Sequence, residues 1–159
     1  MIRIVSGPID SGKTARMQQR YAACRANTAA GFLSTKIFAG ERFRGYQICS
    51  LADGQTAPLA LLEEEYTDQF EPTFQFDRFI FAQAGFELGA SIIENLLAAG
   101  FGGEFFIDEI GPLELSGRGF AEALGRVLQA GNDLTLSVRQ SCLAEVVAKF
   151  GIEQYLVLD

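Results

Sequence analysis

Eight consecutive residues, Gly7-Pro8-Ile9-Asp10-Ser11-Gly12-Lys13-Thr14, follow the spacing G-x-x-x-x-G-K-[ST]. A segment of this composition can cradle a polyphosphate. Gly7 and Gly12 allow backbone conformations closed to other residues, so successive N–H groups and a following helix N-terminus can point at one anion. Lys13 would neutralise β- and γ-phosphate oxygens, and the Thr14 hydroxyl would complete a Mg²⁺ shell. At this chain's own residue frequencies, the four fixed positions would coincide by chance in about three of a thousand such chains. The chain has only three lysines, Lys13, Lys36 and Lys149, and one of them occupies the motif position.

A second group of candidates is Phe105-Phe106-Ile107-Asp108-Glu109, an apolar run ending in two acids. Asp108 at the end of a buried strand would hold Mg²⁺ opposite Thr14, and Glu109 would orient an attacking water or accept its proton. The chain contains no histidine. Imidazole bases, His-ligated zinc and Ser-His-Asp relays are therefore excluded, and a carboxylate is the acid-base group left beside the loop. Of the arginines that could sense a γ-phosphate, Arg139 ranks first because it follows the apolar run Leu134–Val138 at the sheet edge where ligands bind. Arg118, Arg42 and Arg44 rank below it. Asp108-Glu109-Ile110-Gly111 also fits the D-x-x-G of many GTPases, but a guanine-reading N-K-x-D is absent, which disfavours a Ras-like protein.

These residues need elements to position them. Ile2–Ser6 is a β-branched run before the loop, and Lys13 to about Ala26 suits a helix, so the motif sits in its required strand–loop–helix context. Phe32–Phe38 and Phe43–Ser50 read as strands around a turn at Ala39–Arg42, with a third strand at Ala57–Leu62, which together suggest an antiparallel insertion over about 31–62. A short extended piece at Phe74–Phe76 is followed by helical spacing from about Arg78 to Ala99. The run 104–108 reads as a strand covered on both faces. Helix is expected at 119–130 and 141–150, with strands at 134–138 and 154–158. The alternation predicts one α/β domain over 1–159, a three-layer sandwich with a mainly parallel sheet and helices on both faces.

The 159 residues carry 20 acidic and 13 basic side chains, a formal charge of −7, which argues against broad nucleic-acid or anionic-membrane binding. With 48% hydrophobic residues, 14 of them Phe, the chain can build a sizeable core. Three widely spaced cysteines without a C-x-x-C, together with a first strand that starts at once, point to reduced thiols and a cytoplasmic protein with no membrane-spanning segment.

Taken together, Gly7–Thr14, the segment Gly31-Phe32-Leu33-Ser34-Thr35 with Gly40, Arg42 and Arg44-Gly45-Tyr46, and above all Ile107-Asp108-Glu109-Ile110-Gly111-Pro112-Leu113-Glu114-Leu115 resemble the THEP-type nucleoside triphosphatases, the group that includes the cancer-related nucleoside triphosphatase of animals. The resemblance covers most of the chain. It implies a RecA-like P-loop NTPase fold and slow Mg²⁺-dependent hydrolysis of ATP, GTP and other nucleoside triphosphates to diphosphate and phosphate. Lys36 departs from the family, which often has an acid there. A small P-loop nucleoside or metabolite kinase, and a nucleotide-gated adapter with incidental hydrolysis, are the competing readings.

Overall fold

Alternation of apolar residues along the central strands sends consecutive side chains into two separate cores. Ile4, Phe32, Phe105 and Ile107 belong to one buried cluster, while their neighbours Val5, Leu33 and Phe106 belong to the other. Each strand therefore needs cover on both faces, and helices supply it. The computed structural model describes residues 1–158, leaving Asp159 outside the described residues. Its strands are β1 (Ile2–Gly7), β2 (Ala29–Ala39), β3 (Arg42–Ser50), β4 (Thr56–Leu62), β5 (Pro72–Phe76), β6 (Phe79–Ala82), β7 (Glu104–Ile110), β8 (Leu134–Arg139) and β9 (Leu156–Leu158). The helices are α1 (Lys13–Ala23), α2 (Gln83–Ala98), α3 (Pro112–Leu115), α4 (Ala121–Ala130) and α5 (Leu143–Lys149). Met17 and Tyr21 of α1 close one face against Val5, Leu33 and Phe106. On the other face α2, α4 and α5 contribute Ile93, Leu124 and Val146.

The strands form one sheet in the order β5-β6-β4-β3-β2-β7-β8-β1-β9. From β2 to β9 the neighbours run parallel, and from β2 to β5 they run antiparallel. The antiparallel part is thus larger than a hairpin insertion, and β2 belongs to both halves. Its first residues, Ala29–Phe32, pair with β7, and the strand continues past the carboxyl end of the parallel half to Ala39. The antiparallel strands consequently stand as a wall beside the edge at which the phosphate loop lies.

The close pairing of β2 with β7 depends on Gly31. A Cβ at this position would lie 2.1 Å from the Phe106 carbonyl oxygen and 2.7 Å from its nitrogen, with φ at +134°. Backbone atoms cannot rotate aside as a side chain can. Gly31→Ala is expected to lower stability by about 2–5 kcal/mol, from overpacking added to an unfavourable φ, as read from urea denaturation midpoints.

One sequence expectation is corrected here. Residues 79–82, expected to open a helix, form β6, and the helix starts at Gln83. Phe79, Ala82 and Phe86 have helical spacing, but Asp77 takes a left-handed φ of 55° and turns the chain back, so that β6 pairs with β5 and β4. Two smaller shifts follow local chemistry. The short helix α3 lies where the sequence pattern predicts no element, and the last strand is confined to Leu156–Leu158.

Candidate active site

The phosphate loop connects the carboxyl end of β1 to the amino end of α1. Gly12 takes φ +82° at the N-cap, and no side chain caps the helix, so its first amides are left for a ligand. Lys13 is only 5% exposed, and its Nζ donates to the Pro8 carbonyl at 2.9 Å, which folds the side chain back over the loop. The same Nζ lies 3.6 Å from Glu109 Oε2. Residues Ile9–Thr14 line a cavity of about 520 Å³, and Gly7 and Pro8 are outside its lining.

Strand β8 separates β1 from β7, so Arg139 at the end of β8 emerges between the loop and the two acids. In a regular strand Asp108 and Glu109 would point to opposite faces. Here the register of β7 against β8 jumps between Ile107 and Ile110, so that two residues oppose Ser137. Such a bulge re-aims side chains, and both acids serve the same edge of the sheet. The peptide between them is cis.

Asp108 is fully buried and saturated with donors. Thr14 Oγ1 donates to its Oδ2 at 2.8 Å, the Ser34 amide donates to the same oxygen at 3.1 Å, and the Ser137 hydroxyl donates to Oδ1. Burial pushes the acid up to about 6, against the opposing effect of the Ser137 and Thr14 hydroxyl bonds. A desolvated carboxyl beside a threonine hydroxyl forms a hard-oxygen pair suited to Mg²⁺, which favours the ionised form. Thr14 and Asp108 would hold the ion, with phosphate and water oxygens completing the shell.

Glu109 is more open and lies between two cations, Lys13 at 3.6 Å and Arg139 Nε at 3.7 Å. Neither distance is a hydrogen bond, so its carboxylate oxygens remain available. Arg139 Nε is itself buried without a hydrogen-bond partner among the described residues. An anion in the cavity would satisfy it.

The other arginine candidates are not brought to this point. Arg42 and Arg44 both pair with Glu65, at 3.2 and 3.1 Å, and Arg118 lies over the Phe74 ring at 4.8 Å. Ser34, Ser137 and Lys36 carried no sequence signal as site residues. Lys36 Nζ donates to Asp10 Oδ1 at 2.6 Å, tying β2 to the phosphate loop and holding the Asp10 carboxyl below its usual range. Its departure from the family pattern therefore coincides with an acid in the loop itself.

Glu114 is a buried acid that braces the cavity. Its carboxylate accepts the Gly111 amide at 2.9 Å and the Phe120 amide at 3.0 Å, while burial raises its pKa. The bonds hold residues 111–120 in a closed loop. Glu114→Ala would leave two buried N–H groups unpaired at about 1–3 kcal/mol each, so thermal or urea unfolding should show a loss of about 2–6 kcal/mol.

The sheet order, the loop and the paired acids define a RecA-like P-loop NTPase. A family model described as NTPase matches residues 3–157, and the chain belongs to that NTPase family. Among solved structures, the chain is similar to THEP1 from the hyperthermophile Aquifex aeolicus, with TM-score 0.75, 17% identity and coverage of 100% of this chain and 89% of that one. It is also similar to a human cancer-related nucleoside triphosphatase, with TM-score 0.68, 18% identity and coverage of 98% and 86%. Among curated proteins, none matches the sequence.

Proposed function

We propose that the protein hydrolyses nucleoside triphosphates, ATP and GTP among them, to diphosphate and phosphate with Mg²⁺, as a cytoplasmic enzyme with loose base preference. The observation that carries this reading is the convergence of Lys13, Glu109 and Arg139 beside an uncapped helix end, with Thr14 and Asp108 2.8 Å apart behind them. The loop amides would bind the phosphates, and Lys13 and Arg139 would stabilise charge spreading over the transferred phosphoryl group. Glu109 would take the proton of the attacking water. Bound Mg²⁺ would neutralise oxygens of the β- and γ-phosphates. The free thiols Cys24, Cys49 and Cys142 suit a reducing compartment. No helix among the described residues is long and apolar enough to cross a membrane.

Phosphate release from ATP, GTP, CTP and UTP, measured with Mg²⁺ and again after chelation by EDTA, tests the proposal. Release from several of the four is expected, with a fall of about 10²-fold or more on chelation. Equal release in EDTA would reject the metal assignment, and no release from any triphosphate would reject hydrolysis.

A further inference from the structure

The phosphate loop carries a charge of the wrong sign for its ligand. Asp10 stands in the middle of Gly7–Thr14, and it lines the same cavity as Lys13 and Thr14. The backbone does not require an acid there. Asp10 has φ 59°, a left-handed conformation open to glycine and asparagine as well, and no side chain caps α1. A carboxylate at this place opposes the amides and the helix end that would attract a polyphosphate.

Lys36 meets that carboxylate from β2. Its Nζ donates to Asp10 Oδ1 at 2.6 Å, and Lys36 lines the cavity too. The strand is fixed for this contact two residues earlier, where the Ser34 carbonyl accepts from Thr14 Oγ1 at 3.4 Å and the Ser34 amide donates to Asp108 at 3.1 Å. Segment 34–36 is thus joined to the loop at Thr14 and again at Asp10. Among the nearby cations, Lys36 does most to hold the Asp10 carboxyl below its usual range, with smaller contributions from Arg78 and Lys13. Arg78 also lines the cavity, but its guanidinium lies over the Phe79 ring at 5.4 Å.

Folding gains little from such a pair. The Lys36 and Asp10 side chains are 41% and 58% exposed, and ion pairs this open contribute little to stability. The larger effect falls on an anion entering the loop, because the paired charges cancel and leave the field of the amides and of Lys13 unopposed.

We infer that Lys36 is a positioning residue for triphosphate binding, acting through Asp10: it neutralises the carboxylate inside the phosphate loop and holds it against β2. This rests on the reading of Gly7–Thr14 as the triphosphate site. The pair is neutral as it stands. Lys36→Ala leaves one negative charge in the loop, Asp10→Asn leaves one positive charge beside it, and the double variant is neutral again. Affinity for a triphosphate should follow that order of charge and not the number of bonds kept.

The test is equilibrium binding of a non-hydrolysable ATP analogue with Mg²⁺ to the parent, Lys36→Ala, Asp10→Asn and the double variant. Lys36→Ala should bind about 10-fold more weakly, Asp10→Asn about threefold more tightly, and the double variant within about twofold of the parent. The Lys36→Ala deficit should shrink between about 0.05 and about 0.5 M KCl, as screening lengthens its reach over charge. A thermal melt checks that each variant is folded. A double variant as weak as Lys36→Ala would show that Lys36 acts on the ligand directly, and would overturn the inference. So would a folded Lys36→Ala protein that binds as the parent does. Asp10→Asn keeps the left-handed residue type and carries the test independently, since weaker binding by this variant contradicts the assignment. A parent that binds no triphosphate would place the error in the reading of the loop, and the inference falls with it.

Discussion

Lys13→Ala is expected to remove essentially all nucleotide turnover. The side chain is nearly buried, and its ammonium sits between the Pro8 carbonyl at 2.9 Å and Glu109 at 3.6 Å, where a γ-phosphate would meet it. No other lysine can replace it, since Lys36 is bound to Asp10 and Lys149 lies on α5. Arg139 remains, but a single cation at the far side of Glu109 cannot also reach the loop side of the phosphate. Loss of one preorganised donor to developing charge typically costs about 10²–10³ in kcat. The structural cost is smaller, about 1 kcal/mol for the lost bond to Pro8. Phosphate release by the variant, run beside a circular-dichroism melt, separates the two. A folded variant with turnover within about tenfold of the parent would remove the loop from the chemistry.

Glu109→Gln should behave differently, losing turnover while keeping nucleotide. The carboxylate lies between Lys13 and Arg139 and partly neutralises both, so the amide leaves a more positive site for the triphosphate. Affinity should hold or increase. The amide cannot accept a proton from water, and loss of a positioned base typically costs about 10²–10⁴ in rate. Equilibrium binding and single-turnover hydrolysis on the same preparation measure both. Unimpaired hydrolysis would show that water is activated by another group. The alternatives are few, because Asp10 is paired with Lys36 and Glu114 with two amides.

The loop, Asp108, Glu109 and Arg139 could be read from sequence because their chemistry requires given residue types at short, fixed spacings or at the end of a recognisable strand. Such signals are local. Ser34 and Ser137 reach Asp108 from strands 74 residues before it and 29 after it, and although Ser34 lies in the Gly31–Thr35 string that resembles the family, nothing local marks either serine as the partner of an acid. Arg42 and Arg44 have the chemistry of phosphate sensors, but Glu65, a residue from an acidic stretch with no pattern of its own, pairs with both. The error at 79–82 has another origin. Apolar residues three and four apart mark a helix only when the backbone continues, and the left-handed turn at Asp77 starts a strand instead. The aromatic lining of the cavity is hidden for a related reason: whether a phenylalanine packs in a core or lines a cavity depends on which strands become neighbours, and local periodicity does not encode that order.

Strand β1, which carries the phosphate loop, pairs with β8 and β9, so Ile2–Gly7 finds its partners at Leu134–Arg139 and Leu156–Leu158. During synthesis the hairpins between residues 29 and 82 can close as soon as they emerge, because their contacts are local. The loop has no such option. Its strand must wait for the distant end of the chain, and closing so large a separation is the slow part of assembling a sheet. A fragment ending before β8 lacks both strands that flank β1, and is expected to hold the phosphate loop poorly.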